Sequence, residues 1–400
     1  MIPVPEKRVA EFEKMGFGMF IHFGLYSQMG QGEWIKHFKN IEDEEYNRLF
    51  ETFSADKFDA EEIVDIAKAA GMKYVTLTSR HHEGFSLYDT KGLSDFDAPH
   101  APACRRDLIK EFVDACHKGG IVPMLYHTTL DWHVKEFNTD FPAYLKYLRD
   151  SVEVLCRNYG KIGGFWFDGN WSKPGEDWHE DELYAVIRKY QPDAIIVNNT
   201  GLEARGKLGD PEIDSVTYEQ GRPEPMNRDG MSKYVAAEMC YTVNDHWGYA
   251  ADDINYKSPA ELIETLCACR KIGANLLLNI GPMGDGSIVP IQKDLLHCIG
   301  KWILRCGECI YEAKPCDIKG EGKDFALRDG KKAYLFMHGL TPQNAGRRFT
   351  GVSGKVKRVR CTDSGDELKF KNENGTLTVA APPFPYGASY PVRVAEVELE

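Results

Sequence analysis

Short apolar segments with the character of β-strands alternate with longer amphipathic segments through about residue 305. Such alternation predicts a parallel sheet whose strands are connected by helices that cover it. We therefore predict an α/β fold, a (β/α)8-like (TIM-type) barrel that need not be regular. A doubly wound open sheet is the alternative, although no GxGxxG motif follows a strand to support dinucleotide binding. The predicted strands are residues 18–23, 73–78, 121–126, 164–168, 194–197 and 275–279.

The pattern changes from about Glu312 onwards. Asp329-Gly330 and Asn374-Gly375 each separate two strand-like segments, and both dipeptides are typical of tight hairpins. These hairpins predict a second domain, a C-terminal antiparallel β-sandwich. We expect residues 1–311 to form the catalytic barrel and residues 312–400 to form the sandwich. The sandwich could bind sugar or support the barrel, and the lack of an evident aromatic surface favours support.

The composition argues against several classes of partner. Lys and Arg number 49 against 61 Asp and Glu, which gives a net charge of −12. An acidic chain without a run of basic residues is a poor candidate for binding nucleic acid or an anionic membrane. No segment has the length of a membrane span, and the N-terminus lacks the apolar stretch of a signal peptide. The oligomeric state is not indicated.

The eleven cysteines are an odd number at scattered positions. Cys306 and Cys309 form a single CxxC motif, whereas a structural zinc site needs a second pair at suitable spacing. We expect reduced thiols in a cytoplasmic protein, although removal of a signal peptide would leave the same sequence. Several cysteines fall on apolar positions of helix-like segments, where Cys behaves as a small hydrophobe: Cys116, Cys156, Cys267 and Cys298.

Asp168 is the first candidate for chemistry. It ends the apolar run 164–167 and is followed at once by Gly169. A carboxylate at the carboxyl end of a barrel strand lies where barrel enzymes place their active sites. Asp168 is therefore a candidate nucleophile. The alternative is an aspartate that merely caps a loop.

Polar residues also follow the first three predicted strands. The carboxyl ends of barrel strands share one rim, so these residues should converge there. Tryptophans near them favour a sugar ligand, because aromatic faces stack on sugar rings while polar groups bind hydroxyls. The residues are His22 with Glu33 and Trp34, then His81 and His82, then Tyr126 and His127.

A metal site is the rival interpretation of these histidines. The first strand supplies only His22, and the adjacent His81 and His82 would point in opposite directions from a strand. We therefore expect no metal and no other cofactor. A metal-dependent barrel hydrolase remains an alternative function, as does a barrel that binds sugar without catalysis.

Several motifs occur in one order along residues 16–310. Together they resemble the α-L-fucosidases of glycoside hydrolase family 29, whose architecture also includes a C-terminal β domain. The resemblance implies a retaining exo-α-L-fucosidase that acts on fucosylated oligosaccharides or glycoconjugates. An α-L-galactosidase is a close rival, because the two sugars differ only at C5. The motifs span residues 17–27, 32–34, 70–85, 106–108, 130–132, 165–169 and 275–282.

The resemblance assigns roles to individual residues. Asp168 matches the nucleophile. At Tyr126 and His127 the family often has two tyrosines, so either residue could face the sugar. The positions that match residues holding the fucose ring are His22, Glu33, Trp34, His81, His82 and Trp166.

The acid/base is harder to assign, because the family varies there. Many relatives continue with Arg after the position of Asn199, where this chain has Thr200. Residues 214–220 resemble the segment that carries the acid/base in part of the family, so Glu219 is the preferred candidate. The open alternatives are Glu203, Asp210, Glu224 and Glu238.

Overall fold

The computed structural model describes residues 1–400, and its first part is a closed barrel of eight parallel strands, β1 to β8, in chain order. The predicted barrel is confirmed. The strands span Phe17–Ile21 (β1), Tyr74–Arg80 (β2), Val122–Thr128 (β3), Gly164–Asp168 (β4), Ile195–Asn199 (β5), Ser215–Glu219 (β6), Ala236–Thr242 (β7) and Asn275–Ile280 (β8).

Local signals explain where the main helices begin. The Asp59 carboxylate accepts hydrogen bonds from the backbone N–H groups of Glu61 and Glu62, and the Ser258 hydroxyl accepts one from Glu261. No helix is long and apolar enough to cross a membrane. The helices span Lys7–Met15 (α1), Tyr26–Met29 (α2), Ile35–Phe38 (α3), Asp43–Asn47 (α4), Leu49–Thr52 (α5), Ala60–Ala69 (α6), Leu108–Gly119 (α7), Glu136–Thr139 (α8), Phe141–Asn158 (α9), Glu180–Tyr190 (α10), Pro259–Lys271 (α11) and Pro290–Trp302 (α12).

The barrel is irregular between β5 and β7. Only a single 3₁₀ turn, Leu202–Ala204, lies between β5 and β6, and no helix lies between β6 and β7. Neither β6 nor β7 is among the strands predicted from the sequence. The connection after β5 is therefore an extended loop at the carboxyl end of the barrel, where a helix would otherwise turn the chain away.

The inside and outside of the barrel have separate cores. A cluster of 82 buried residues lies mainly between the strands and the surrounding helices. A smaller cluster of 12 buried residues fills the barrel itself and includes Val9 and Phe12 of α1, which close its amino end. Because the amino end is filled, access to the interior is from the carboxyl end.

The C-terminal part contains eight antiparallel strands in one sheet, and both predicted hairpins are present. Neighbouring residues of this sheet face opposite sides: Phe325 and Leu327 join the large core beside the barrel, whereas Ala326 joins a separate core of 17 residues. The strands span Lys314–Gly320 (β9), Phe325–Asp329 (β10), Lys332–His338 (β11), Gly346–Thr350 (β12), Val356–Cys361 (β13), Phe370–Glu373 (β14), Thr376–Ala380 (β15) and Val392–Leu399 (β16).

Candidate active site

A cavity of about 580 Å³ opens at the carboxyl ends of the barrel strands. This volume is within the usual range for small-molecule sites. Its lining combines carboxylates, histidines and aromatic rings, which is the combination expected of a sugar site. The lining residues are Phe20, His22, Trp34, His81, Tyr126, Trp166, Asp168, Trp171, Asn199, Thr200, Gly201, Leu202, Glu203, Ala204, Glu219 and Trp247.

Asp168 and Glu219 face each other across one amide group. The Nδ2 nitrogen of Asn199 donates to Asp168 Oδ1 at 3.1 Å and to Glu219 Oε2 at 2.8 Å. The two carboxylate oxygens are therefore no farther apart than these two bonds laid end to end. That limit is below the roughly 6.5–9.5 Å between the carboxyl groups of inverting glycosidases, and it admits the roughly 5–5.5 Å of retaining ones.

The orientation of the Asn199 amide follows from its other contacts. Its Oδ1 oxygen accepts hydrogen bonds from the Thr217 hydroxyl and from the backbone N–H of Gly201, each at 3.1 Å. The amide nitrogen must then face the carboxylates. Strand pairing explains the position, because Asn199 is the direct neighbour of Asp168 in the register of β4 and β5.

The two carboxyl groups have different surroundings. Burial raises the pKa of Glu219 to about 7, with a further contribution from the negative charge of Asp168. Burial also raises the pKa of Asp168, but hydrogen bonds from Trp171, Tyr126 and Asn199 oppose that rise. Asp168 accepts three side-chain hydrogen bonds, at 2.8, 3.1 and 3.1 Å, whereas Glu219 accepts one. Asp168 is therefore the better stabilised anion, and Glu219 the better proton donor.

The backbone after Asp168 requires glycine. Gly169 has a φ of +125°, and a Cβ atom there would lie 2.5 Å from the backbone nitrogen of Leu130. A side chain is excluded both by the conformation and by the close approach of the β3 loop. This tight turn holds Asp168 at the carboxyl end of its strand.

His22 and His82 are held as neutral rings. Burial, together with the neighbouring His81, lowers the pKa of both well below the usual 6.5. His22 Nδ1 donates to Asn279 Oδ1 at 2.7 Å, and His82 Nδ1 lies 2.7 Å from the Thr128 hydroxyl, which itself donates to a backbone oxygen. Each ring is thus protonated on Nδ1. Each Nε2 lone pair is left free to accept a hydrogen bond.

Aromatic rings form an apolar wall beside these polar groups. Phe20 packs against Trp166, with ring centroids 5.1 Å apart, and against Trp247 at 5.9 Å. Tyr126 stacks on Trp166 at 5.7 Å. The cavity therefore combines hydrogen-bonding groups with an apolar wall.

Comparison with known proteins supports the same class. A family model described as Alpha-L-fucosidase matches residues 5–308. The chain belongs to the α-L-fucosidase family. The tissue alpha-L-fucosidase of Rattus norvegicus is 31% identical over 363 residues, covering 82% of this chain and 76% of the relative, and that of Homo sapiens is 30% identical over 371 residues, covering 82% and 75%.

A solved structure agrees over the whole chain. Alpha-L-fucosidase isoenzyme 1 from Paenibacillus thiaminolyticus superimposes with a TM-score of 0.87 and 32% identity, covering 98% of this chain and 99% of that one. The predictions of an α-L-fucosidase, and of a glycoside hydrolase built on a barrel with a C-terminal β domain, are confirmed. Members of this family hydrolyse glycosides, so the alternative of a barrel that binds sugar without catalysis is not favoured.

Most of the residues predicted from the sequence converge on the cavity of this fucosidase. His82 does not line the cavity, but its Nε2 lies 3.6 Å from Asp168 Oδ2. Glu33 is buried behind the lining, where its Oε2 accepts a hydrogen bond from the backbone N–H of Gly248 at 2.7 Å and so braces the loop that carries Trp247. The predicted residues that do line it are His22, Trp34, His81, Tyr126, Trp166, Asp168 and Glu219.

His127 is placed away from the site, and the expectation that it could bind sugar needs correction. Its ring lies on the outer face of β3, where Nδ1 is 2.9 Å from the Ser79 hydroxyl and the ring neighbours Tyr88. Successive side chains of a strand alternate between faces. Tyr126 therefore points into the barrel, and its hydroxyl donates to Asp168 at 3.1 Å.

The alternatives to Glu219 are separated by position. Glu203 lines the cavity, but its side chain is exposed and makes no hydrogen bond to Asn199 or Asp168. Glu238 is buried inside the barrel below the cavity, where it accepts hydrogen bonds from Trp166 and Tyr74. Asp210 and Glu224 are not part of the lining. Of these carboxyl groups, only Glu219 shares a donor with Asp168.

Sequence reasoning did not assign Asn199 to the site, and it placed Trp171 and Trp247 only near it. The signal for Asn199 was its place two residues after the predicted strand 194–197, which follows the strand of Asp168 along the chain. Trp171 donates from its indole nitrogen to Asp168 Oδ1 at 2.8 Å, although it lies in the loop after the strand. No group of three or more His, Cys, Asp or Glu side chains is arranged as a metal site.

Proposed function

We propose that the protein removes terminal α-L-fucosyl residues from fucosylated oligosaccharides or glycoconjugates with retention of configuration. Asp168 is the nucleophile and Glu219 is the acid/base. The observation that carries this proposal is the single Asn199 amide nitrogen that contacts both carboxyl groups. It supports a separation suited to direct attack by one carboxylate on the anomeric carbon, rather than attack by an intervening water.

In the first step a carboxylate oxygen of Asp168 bonds to the anomeric carbon as the bond from that carbon to the leaving oxygen breaks. Glu219 transfers its proton to the leaving oxygen. The products are a fucosyl ester of Asp168, an ionised Glu219 and the released alcohol. The pKa of about 7 for Glu219 suits a group that must carry this proton near neutral pH.

In the second step a water molecule gives its proton to Glu219 and bonds through its oxygen to the anomeric carbon. The ester bond to Asp168 breaks, which regenerates both carboxyl groups. The Asn199 amide can stabilise the negative charge in both steps, because its nitrogen donates to Asp168 and to Glu219. Two displacements at one carbon restore the original configuration.

The two sides of the cavity support a preference for fucose. The free Nε2 atom of His22 is suited to accept a hydrogen bond from a sugar hydroxyl, with His81 and Trp34 beside it in the lining. His82 lies behind the lining, 3.6 Å from Asp168, and supports this polar group from there. The rings of Phe20, Trp166 and Trp247 provide a surface for the C5 methyl group. A hydroxymethyl group there would bury an unpaired hydroxyl, which disfavours an α-L-galactosidase.

The closed floor of the barrel supports action on terminal sugars. Phe20 and Trp166 lie beneath the carboxyl groups, and the interior below them is packed. A chain of sugars could not pass through, so one terminal residue enters at a time.

We propose that residues 1–311 act as the catalytic domain.

The C-terminal domain, residues 312–400, is proposed to support the barrel. The Trp302 indole N–H donates to the backbone oxygen of Val392 at 2.8 Å, and five residues of the C-terminal sheet belong to the large barrel core. No residue beyond Trp247 lines the cavity. We also propose a reducing location such as the cytoplasm, because all eleven cysteines are unpaired.

The test is the configuration of the first product. Hydrolysis of an aryl α-L-fucoside should release α-L-fucose first, which NMR detects before the anomers equilibrate. An Asp168→Ala protein is the control and should not turn over the same substrate. Initial release of the β anomer would show inversion and remove the assignment of Asp168 as nucleophile.

A further inference from the structure

The rim of the cavity carries exposed aromatic side chains that the folding of the barrel does not explain. Phe38 is 77% exposed and Trp171 is 37% exposed. Four large aromatic side chains in the chain are at least 37% exposed. Phe38 and Trp171 are the two that belong to the barrel domain. Exposed apolar side chains that cluster beside a cavity indicate a binding surface, whereas isolated ones need no explanation.

These side chains form a continuous line from the cavity outwards. Trp34 is at its centre: its ring lies 6.0 Å from Trp171 in a stacked arrangement and 5.9 Å from Phe38. Trp171 continues the line to the loop after β5, since a Cβ atom on Gly201 would lie 3.6 Å from the Trp171 ring. Trp34 and Trp171 line the cavity, and Phe38 lies just outside it.

The centre of this line is held rigidly. Trp34 makes edge contacts with Trp132 at 5.1 Å and with His82 at 5.3 Å. His37 stacks on Trp132 at 5.6 Å and so fixes the last turn of α3, where Phe38 is located. A preorganised aromatic surface loses little conformational freedom when a ligand binds.

We propose that Phe38, Trp34 and Trp171 form the binding surface for the leaving-group sugar, whose ring lies with its apolar C–H face against them. This inference rests on the proposed function. The fucosyl group fills the closed end of the cavity beside Asp168, so the sugar attached to it must occupy the mouth. The surface is continuous with the cavity, and it presents aromatic faces at the place where that ring emerges.

This surface distinguishes leaving groups by their size and ring structure. A leaving group with a sugar or aryl ring covers apolar area on the rim, whereas a small leaving group such as fluoride reaches none of it. Phe38 makes no contact with Asp168 or Glu219, so its contribution depends on the leaving group alone. Discrimination by Phe38 therefore depends on the ring that departs, and not on the fucose.

The test compares two substrates in one variant. For Phe38→Ala, kcat/KM for a fucosylated trisaccharide should fall about tenfold relative to kcat/KM for α-L-fucosyl fluoride, which corresponds to the loss of one aromatic contact. Phe38→Trp should restore the ratio. The matched control is Phe370→Ala, which removes a phenylalanine that is 37% exposed in the C-terminal sheet and should leave the ratio unchanged.

Three outcomes would overturn the proposal. An unchanged ratio would show that the rim does not hold the leaving group. An equal loss on both substrates would show that Phe38 supports the catalytic site itself. A change in oligomeric state on sedimentation would make the surface a contact between copies of the chain. Failure of the wild-type protein to hydrolyse fucosyl fluoride would instead reject the proposed function.

Discussion

Two glutamates on neighbouring strands, one half-buried and one buried, differ in what surrounds them. Glu219 ends β6 at the mouth of the barrel, and Glu238 lies in β7 inside it. Burial raises the pKa of each to about 7. At Glu219 the next largest cause is the charge of Asp168, which raises the pKa further. At Glu238 hydrogen bonds from Tyr74 and Trp166 oppose the rise.

The comparison shows that a raised pKa does not by itself mark a catalytic group. Burial alone raises it, and burial occurs in the packed interior as well as at the cavity. What distinguishes Glu219 is access to the cavity and a second carboxylate that shares its hydrogen-bond donor. Glu238 has neither, and its two donors are residues of the barrel wall. We therefore assign Glu238 to the support of Trp166.

The largest expected effect is that of Glu219→Ala. Loss of a general acid should lower kcat/KM for a fucosylated oligosaccharide by roughly 10²- to 10⁴-fold. The loss should be much smaller for α-L-fucosyl fluoride, whose leaving group needs no proton. Azide should restore turnover of the fluoride, because it can attack the fucosyl ester without a general base. Steady-state kinetics on both substrates measure this difference.

The control for that variant is Glu203→Ala, which removes the other glutamate that lines the cavity. We expect a far smaller loss with it and no response to azide. If Glu203→Ala reproduced the leaving-group dependence and Glu219→Ala did not, the acid/base would be Glu203. Glu203, and not Glu219, would then be the residue at the mouth of the barrel to compare with Glu238 in its interior.

The next effect is on pH dependence. Glu219 must be protonated to act as the acid, and its pKa is raised to about 7. As the pH rises above 7 the protonated fraction falls about tenfold per unit, so kcat/KM for an oligosaccharide should fall at the same rate. The profile for fucosyl fluoride should lack this alkaline fall. An identical fall with both substrates would indicate another titrating group.

The smallest effect is expected for Glu238→Gln. A neutral amide resembles the protonated carboxyl group, so kcat/KM should fall less than about tenfold, by the same factor for oligosaccharide and fluoride. The loss should not respond to azide. Kinetics on the two substrates would contradict our assignment if this variant lost activity selectively on the oligosaccharide.

The same variant should alter the pH dependence of stability. The folded-state pKa of Glu238 is raised from 4.5 to about 7. Its stabilising effect is therefore complete below the unfolded value and is lost as the pH rises through about 7. Gln cannot ionise, so between pH 5 and 8 the wild type should lose about 2.5 kcal/mol of folding free energy relative to the variant. Urea unfolding at the two pH values measures this, and a constant difference would reject it.

Local sequence signals were sufficient where structure depends on neighbours along the chain. The Asp107 side chain accepts a hydrogen bond from the backbone N–H of Lys110 and so caps α7, and Gly120 ends that helix in a left-handed conformation. The hairpins at Asp329-Gly330 and Asn374-Gly375 form where their dipeptides occur. Such features depend on a few consecutive residues, so a pattern can identify them.

Local signals failed for β6 and β7. Ser215–Glu219 alternates polar side chains with apolar ones, because Thr217 bonds to Asn199 and Glu219 lines the cavity, whereas Val216 and Tyr218 lie in the outer core. Ala236–Thr242 includes Glu238 for a similar reason. A buried parallel strand normally has a continuous apolar run. Strands that build a polar interior lack that run, so they are hard to recognise.

The amino-acid sequence by itself determined the class of protein. Its alternating segments favour a barrel over an open sheet, its motifs resemble those of α-L-fucosidases, and Asp168 stands at the end of a predicted strand. Only the tertiary structure decided that Tyr126 rather than His127 faces the cavity, and that Asn199 joins Asp168 to Glu219. The physical reason is strand register: it selects the side chains that point inward and makes neighbours of residues 31 positions apart.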